Sequence, residues 1–278
     1  MSALPAGPAA APLDEAELSQ ALAAGLSLAS WAMTQIRQSV PGPQQMSTKD
    51  NPADWVTSVD RDVERHVRAE LLRLFPTHQI QGEEHGASPV SERGAVWFCD
   101  PIDGTTNYVH RLPWSSFSLG LMDSAGTAVG VVADPWRREV FSAVRGRGAW
   151  LEGEATRVVD ARSLMGRIAL TEMRGVEPWL GMNEMIASLS RAGCVTRIMG
   201  SSALSLASIA AGRCVATVLE GYNAWDAIAG ALIARESGAV VLSRAGERVD
   251  FPAGALLAAC PGVADAAWAA WTGSPQAP

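Results

Sequence analysis

The chain has 278 residues, of which 48% are hydrophobic and 18% are charged. This length and composition fit one large folded α/β unit or two closely packed ones, and they exclude an intrinsically disordered protein. The formal net charge of −7 gives no basic face for nucleic acid, so we expect no nucleic-acid partner. An acidic protein that handles phosphates needs divalent cations to invert its local field, and metal-dependent chemistry is therefore favoured.

The N-terminus and the cysteines indicate a cytoplasmic protein. Residues 1–12 are rich in Ala and Pro but contain no Lys or Arg, so we expect a flexible tail rather than a signal peptide. No apolar run is long enough to span a membrane. The four cysteines stand apart without a Cys-x-x-Cys spacing, which favours reduced core thiols over a zinc site or a disulfide framework.

The first half of the chain predicts helices followed by an antiparallel meander. Asp14 and Glu17 form a capping-box pattern, which predicts a helix that runs to about Ser39. A polar hairpin or loop is expected at 47–54, and apolar residues at helical spacing predict a second helix from Val59 that stops before Pro76. Strands are then expected over 78–81, 95–99, 115–122, 126–133, 140–144 and 149–151.

From about residue 155 the pattern changes to alternating strands and helices. Strands are expected over 168–171, 195–198, 215–219 and 239–242, and helices over 179–192, 202–211, 225–237 and 261–271. The sequence thus predicts a tail (1–12), an α+β subdomain (13–154) that carries most of the site and an α/β subdomain (155–278). Because no flexible linker separates the two subdomains, we expect the functional site in the cleft between them.

The most informative stretch is 100–107, Asp-Pro-Ile-Asp-Gly-Thr-Thr-Asn, which directly follows the expected buried strand. Two carboxylates three positions apart, a Pro, a Gly and two hydroxyls indicate a strand end that turns sharply into a polar loop or a helix start. Such a turn can aim both carboxylates at one point and leave the backbone N–H groups of residues 104–106 free for an anion. The stretch therefore indicates a metal and phosphate site.

Further oxygen donors occur at three other places, Asp60, Glu83 and Asp226. Each of them alone is more readily explained as a solvated surface acid, and Asp60 at a helix start is equally well explained as an N-cap. Together with the central stretch they form a recognisable set of motifs. Glu83 lies in Gly-Glu-Glu (82–84), and Asp226 lies in Trp-Asp-Ala-Ile-Ala-Gly (225–230).

These three motifs, in matching order between about residues 18 and 264, make the chain resemble the inositol monophosphatase family of magnesium-dependent phosphatases. The resemblance implies a layered αβαβα sandwich of mixed α+β and α/β character. It also implies two or three Mg²⁺ ions per site, held by oxygen ligands. The implied ligands are Glu83, Asp100, the Ile102 carbonyl, Asp103 and Asp226.

The same resemblance implies roles around a metal-activated water. Thr105 and Glu83 would help to activate the water, and Asp60 would orient the Thr105 hydroxyl. The Gly104 and Thr105 amides would hold the phosphate. The residues expected to contact the substrate are Gly200, Ser201, Ser202, Glu220 and Lys49. Glu220 lies one residue closer to the metal-binding Asp than its counterpart in inositol-cleaving members, which would move its carboxylate away from a sugar ring.

The expected activity is Mg²⁺-dependent hydrolysis of a small polyol or sugar phosphate, with inositol 1-phosphate first. Histidinol phosphate, fructose 1,6-bisphosphate and 3′-phosphoadenosine 5′-phosphate are alternatives within the family. An alternative of another class is a binding or regulatory protein that keeps the fold without turnover, although no catalytic residue is lost. The resemblance further implies a homodimer, and the expected partner is a small phosphorylated substrate rather than nucleic acid or a membrane.

Overall fold

The structure is a computed structural model, and it describes residues 11–39, 46–48, 55–89, 95–252 and 254–273. The α-helices of these residues are α1 (Glu15–Gln38), α2 (Ser58–Leu74), α3 (Thr105–Val109), α4 (Met182–Arg191), α5 (Ser202–Ala210), α6 (Ala224–Glu236) and α7 (Ala264–Thr272). A single 3-10 turn (Pro261–Val263) precedes α7. No helix of the described residues is long and apolar enough to cross a bilayer.

The strands fall into three sheets, the first of which is a small hairpin of β1 (Met46–Thr48) and β2 (Trp55–Thr57). The larger sheet has the order β10-β9-β8-β7-β6-β5-β3-β4 and the smaller sheet the order β12-β11-β13-β15-β14. Their strands are β3 (Gln79–Gly82), β4 (Gly86–Ala87), β5 (Val96–Asp103), β6 (Ser116–Asp123), β7 (Gly126–Asp134), β8 (Glu139–Val144), β9 (Gly148–Leu151), β10 (Glu154–Thr156), β11 (Ile168–Thr171), β12 (Val195–Ile198), β13 (Ala216–Glu220), β14 (Val240–Leu242) and β15 (Ala255–Ala259).

The helices and the two larger sheets stack in five layers. Helices α1 and α2 pack on one side of the larger sheet, α5 and α6 lie between the two sheets, and α4 and α7 cover the far side of the smaller sheet. Because helices cover both of its faces, strand β7 is buried along almost its whole length rather than at alternate residues. The layered αβαβα arrangement expected from the sequence is confirmed.

The local signals explain where several elements begin. The Asp14 side chain accepts hydrogen bonds from the N–H groups of Ala16 and Glu17, which completes the capping box predicted for α1. Strands β6 to β10 form the expected antiparallel meander, each paired with the next. All four cysteines are buried and free, as the spacing predicts.

The structure differs from the sequence prediction at several strands, including the unpredicted two-residue strand β4. Strand β5 does not end before the stretch 100–107 but continues into it as far as Asp103. Its pairing register is irregular between Asp100 and Asp103. Strand β10 crosses the expected subdomain boundary and closes one edge of the larger sheet. Strand β15 was not predicted, because its short Ala-Leu-Leu-Ala-Ala sequence lacks the β-branched residues typical of strands, yet it pairs with both β13 and β14.

Helix α6 crosses the larger sheet at unusually short range. A Cβ atom added to Gly120 would lie 2.2 Å from Cγ2 of Ile228, so only a glycine allows the helix to lie this close to β6. The Ser118 hydroxyl donates a hydrogen bond to the Trp225 carbonyl at 3.0 Å and anchors the first turn of the same helix. These contacts place Asp226, in that first turn, beside the end of β5.

Candidate active site

A cleft of about 500 Å³ receives side chains from both larger sheets. Ten of the residues predicted from the sequence line it: Glu83, Asp100, Ile102, Asp103, Gly104, Thr105, Gly200, Ser202, Glu220 and Asp226. Asp60 and Ser201 are fully buried behind this lining. The predicted substrate residue Lys49 lies outside the described residues.

The turn from β5 into α3 brings the backbone that is predicted to bind phosphate against a second loop. Gly104 is the N-cap of α3 and has a left-handed conformation with φ +90°. A Cβ atom at this position would lie 2.5 Å from the Gly200 carbonyl oxygen. The close approach explains why the turn requires glycine, and it sets Gly104 and Thr105 opposite the loop that starts α5.

Asp103 connects the central stretch to the start of α5. Its carboxylate accepts hydrogen bonds from the Ser201 hydroxyl at 2.6 Å, from the Ala203 N–H at 2.7 Å and from the Ser202 N–H at 3.2 Å. Ser201 is also the N-cap of α5. The predicted contact of Ser201 with substrate is therefore not supported, because its buried hydroxyl is engaged by Asp103 while Gly200 and Ser202 face the cleft.

Asp60 caps a helix and also contacts the Thr105 hydroxyl. One carboxylate oxygen accepts a hydrogen bond from the Thr57 N–H at 2.9 Å as part of a capping box at the start of α2. The other lies 3.3 Å from Oγ1 of Thr105, and that hydroxyl lies 2.9 Å from the Ile102 carbonyl oxygen. Burial raises the pKa of Asp60 to about 7. Asp60 is thus the N3 partner of the N-cap Thr57, so the interpretation of Asp60 as the N-cap itself is wrong. Its role in orienting the Thr105 hydroxyl stays a prediction, and the 3.3 Å contact is compatible with it.

Glu83 is positioned by a buried acid that the sequence analysis missed. The Glu64 carboxylate on α2 accepts hydrogen bonds from the N–H groups of Glu84 at 2.7 Å and His85 at 3.1 Å. Arg68, one turn later, pairs with Glu64 at 3.2 Å. The four-residue spacing of Asp60, Glu64 and Arg68 along one face of α2 is the sequence signal that would have predicted this polar row.

The carboxylates of the cleft repel one another electrostatically. Burial raises the pKa of Asp100 and Asp226 well above the usual range, and repulsion from Glu83 and Asp103 adds to this increase. The pKa of Asp103 rises to about 6, mainly because of burial and despite its hydrogen bonds. A buried group of acids with this repulsion is stabilised by a cation.

The donor set fits Mg²⁺, although the side chains are not preformed around an ion. Four carboxylates and the Ile102 carbonyl supply the hard oxygen ligands that Mg²⁺ prefers. In their present rotamers, no three His, Cys, Asp or Glu groups of the described residues are arranged to hold a metal ion. Asp103 and Asp226 instead accept backbone N–H groups, the latter from Asn223 at 2.8 Å.

Asn107 and Glu172 each form a hydrogen bond with the peptide group between Met199 and Gly200. Its carbonyl accepts a hydrogen bond from the Asn107 side-chain amide at 2.7 Å. Its N–H donates to the buried Glu172 carboxylate at 2.5 Å, and the other oxygen of Glu172 accepts from the Ser205 hydroxyl at 2.6 Å. Burial raises the pKa of Glu172 to about 7. Glu172 was missed because a single acid after a strand carries no motif.

Glu220 lines the cleft, but its carboxylate is engaged elsewhere. Oε1 accepts a hydrogen bond from the Trp271 indole at 2.8 Å and forms an ion pair with Arg244. The guanidinium of Arg244 also lies over the Trp271 ring, 5.5 Å from its centroid. Neither Arg244 nor Trp271 lines the cleft. The expected contact of Glu220 with substrate is therefore not supported by this geometry.

Comparison with known proteins agrees with the site. Residues 17–273 match the inositol monophosphatase family. The chain belongs to this family. The Nus factor SuhB of Pasteurella multocida is 37% identical over 217 residues, which is 77% of this chain and 81% of that protein. Human inositol monophosphatase 2 is 31% identical over 262 residues, 92% of this chain and 91% of the human protein.

The fold of a solved family member is also closely similar. The extragenic suppressor protein suhB of Bartonella henselae superposes with a TM-score of 0.85 and 26% identity, over 90% of this chain and 98% of that one. The family resemblance and the fold inferred from the three motifs are confirmed by these matches.

Proposed function

We propose that this inositol monophosphatase family member is a Mg²⁺-dependent phosphomonoesterase that hydrolyses a small phosphorylated alcohol, with inositol 1-phosphate as the first substrate to examine. One observation carries the proposal. The acids Glu83, Asp100, Asp103 and Asp226 line one cleft beside the hydroxyl of Thr105. A family of phosphatases is the context in which such a set of acids has a catalytic use.

The protein's own groups would hold and orient the reactants. Bound Mg²⁺ would supply Lewis-acid chemistry, which lowers the pKa of a water and neutralises phosphate oxygens. The Thr105 proton points to Asp60 or to the Ile102 carbonyl, so a lone pair of the hydroxyl remains to accept a hydrogen bond from the attacking water. The Gly104 and Thr105 amides would bind the phosphate.

The test is release of phosphate by the purified chain with Mg²⁺. The panel contains inositol 1-phosphate, histidinol phosphate, fructose 1,6-bisphosphate and 3′-phosphoadenosine 5′-phosphate. We expect hydrolysis of at least one ester, loss of it when Mg²⁺ is chelated, and loss of it in Asp103→Asn. Hydrolysis of none of the esters, or full activity in Asp103→Asn, would refute the proposal.

A binding or regulatory role is the second candidate function, because several relatives bear the name Nus factor SuhB. This candidate predicts a folded protein that binds Mg²⁺ in calorimetry without hydrolysing any ester of the panel. The absence of a nucleic-acid partner, the cytoplasmic location and the homodimer stay predictions. The homodimer is measured by light scattering against the chain mass of 29.2 kDa.

A further inference from the structure

Beyond the acids, the cleft has a second wall built by the smaller sheet and its loops, here called the alcohol wall. Five of its large side chains are apolar or aromatic, Met173, Val176, Ile198, Leu219 and Tyr222, and they stand beside the acids Glu172 and Glu220. The apolar and aromatic side chains come from the segment after β11, from the end of β12, from β13 and from the segment between β13 and α6. Because the same cleft contains the phosphate-binding turn, this wall faces whatever is esterified to the phosphate.

The carboxylates on this side of the cleft already have partners within the protein. Glu172 accepts hydrogen bonds from the Gly200 N–H and the Ser205 hydroxyl. Glu220 is engaged by Trp271 and Arg244. A ring of hydroxyls placed against the wall would have to compete with these contacts, at the cost of leaving buried donors unpaired.

Two of the apolar side chains are largely exposed, whereas Leu219 is buried. Val176 is 56% exposed and Ile198 is 47% exposed, which is high for large apolar residues next to a concave site. The Tyr222 hydroxyl donates a hydrogen bond to the Pro252 carbonyl, so its polar end is occupied and its ring remains for contact. An apolar group of the substrate placed here would remove this surface from water.

We infer that the substrate is a phosphomonoester whose alcohol carries an apolar group, such as an aromatic ring on a short alkyl arm, and not a polyhydroxylated ring. The inference rests on the proposed phosphomonoesterase activity and specifies its substrate class. The phosphate would be bound by the turn at Gly104 and by Mg²⁺ held by the acids, and the apolar group would lie on the alcohol wall. Selectivity then comes from burial of apolar surface rather than from hydrogen bonds to hydroxyls.

The first measurement compares three phosphate esters, of which the ethyl and 2-phenylethyl esters have alcohols that leave with similar ease. With saturating Mg²⁺, kcat/KM is determined for ethyl phosphate, 2-phenylethyl phosphate and inositol 1-phosphate. We expect the value for 2-phenylethyl phosphate to exceed each of the other two at least about tenfold, since burying a phenyl group has an effect of this size. Equal values, or a preference for inositol 1-phosphate, would overturn the inference while leaving the phosphatase proposal intact. Hydrolysis of no ester would instead refute the phosphatase proposal.

The second measurement assigns the preference to the wall. Val176→Ser and Ile198→Ser, alone and combined, should lower the ratio of kcat/KM between the phenylethyl and ethyl esters several-fold. Leu180→Ser is the matched control, since Leu180 is 95% exposed on the same segment after β11 but does not line the cleft. We expect Leu180→Ser to keep the ratio and all four variants to keep the wild-type circular dichroism.

The alternative occupant of this surface is a second copy of the chain. Light scattering of the same variants distinguishes the two cases. If Val176→Ser or Ile198→Ser lowers the molecular mass in solution and leaves the ester ratio unchanged, the side chains are covered by a partner subunit and the inference is wrong. An unchanged mass together with a reduced ratio supports the assignment to substrate.

Discussion

The two walls of the cleft are built on different physical principles. The phosphate wall is formed by the polar groups of Glu83, Asp100, Ile102, Asp103, Thr105 and Asp226. Asp103 is hydrogen-bonded to the start of α5 and Thr105 to Asp60 of α2, whereas Asp100 and Asp226 accept N–H groups of neighbouring residues. The alcohol wall is mainly apolar, and its side chains lie at the ends of strands of the smaller sheet and on the segments that follow them. If the proposed function holds, the reaction type resides in a buried polar network, whereas the choice of alcohol resides largely in segments that tolerate change.

The phosphate wall also reduces the stability of the metal-free protein. Acids whose pKa is raised by burial and mutual repulsion are ionised at neutral pH only at a free-energy cost. The alcohol wall carries no such cost. The first three predictions therefore test the phosphate wall and its supports, and the last one tests the alcohol wall.

The largest effect is expected for Asp100→Asn. Loss of a charged ligand should reduce kcat/KM about a thousandfold or more, because charge stabilisation at the reacting phosphate is lost. In the absence of Mg²⁺ the melting temperature should rise by a few degrees, because the pKa of Asp100 is raised in the folded state and its ionised form opposes folding at neutral pH. Calorimetry with and without Mg²⁺ measures the shift in melting temperature. A fall in both kcat/KM and the Mg²⁺-free melting temperature would show that the ionised form of Asp100 does not oppose folding.

Thr105→Val should produce the next largest effect. The substitution keeps the shape of the side chain but removes the hydroxyl that lies 2.9 Å from the Ile102 carbonyl and 3.3 Å from Asp60. We expect kcat to fall about a hundredfold with little change in KM, since the hydroxyl orients the nucleophile rather than the substrate. Thr105→Ser, which restores the hydroxyl, should recover most of the activity. A Ser variant as inactive as the Val variant would contradict the role of the hydroxyl.

Glu172→Ala tests a support that lies outside the motifs. Removing the carboxylate leaves the Gly200 N–H and the Ser205 hydroxyl without partners, and the loop that holds Asp103 loosens. We expect kcat/KM to fall about 10- to 100-fold and the free energy of unfolding to fall by about 1–3 kcal/mol. Glu172→Gln retains an acceptor for the Gly200 N–H and should recover most of the activity. If the Gln variant resembles the Ala variant, the charge rather than the hydrogen bond is required.

The sequence predicts the phosphate wall better than the alcohol wall for physical reasons. Oxygen ligands for Mg²⁺ require acids at particular turns, so the motifs around Glu83, Asp100 and Asp226 taken together predict these residues as ligands. Their supports are not, since Glu64 and Glu172 act through contacts between segments far apart in the chain. The bounds of elements with strong periodicity were predicted within a few residues. The Ala-rich β15 was missed because it depends on pairing with β13 and β14.

The smallest effect on catalysis is expected for Glu220→Gln. Its Oε1 atom is engaged by Trp271 and Arg244 outside the cleft, so removal of its charge should change kcat/KM for every ester by less than about threefold. The glutamine still accepts a hydrogen bond from the Trp271 indole, and the lost ion pair with the half-exposed Arg244 should lower the free energy of unfolding by no more than about 1 kcal/mol. The control for removing one negative charge is Glu184→Gln, since Glu184 is an exposed acid on α4.

A tenfold rise in KM for inositol 1-phosphate in Glu220→Gln alone would show that the Glu220 carboxylate turns into the cleft and binds a hydroxyl. The Glu220 carboxylate would then be a polar group of the alcohol wall that only a change of rotamer removes from the cleft. The inference that this wall selects an apolar alcohol would lose its main support.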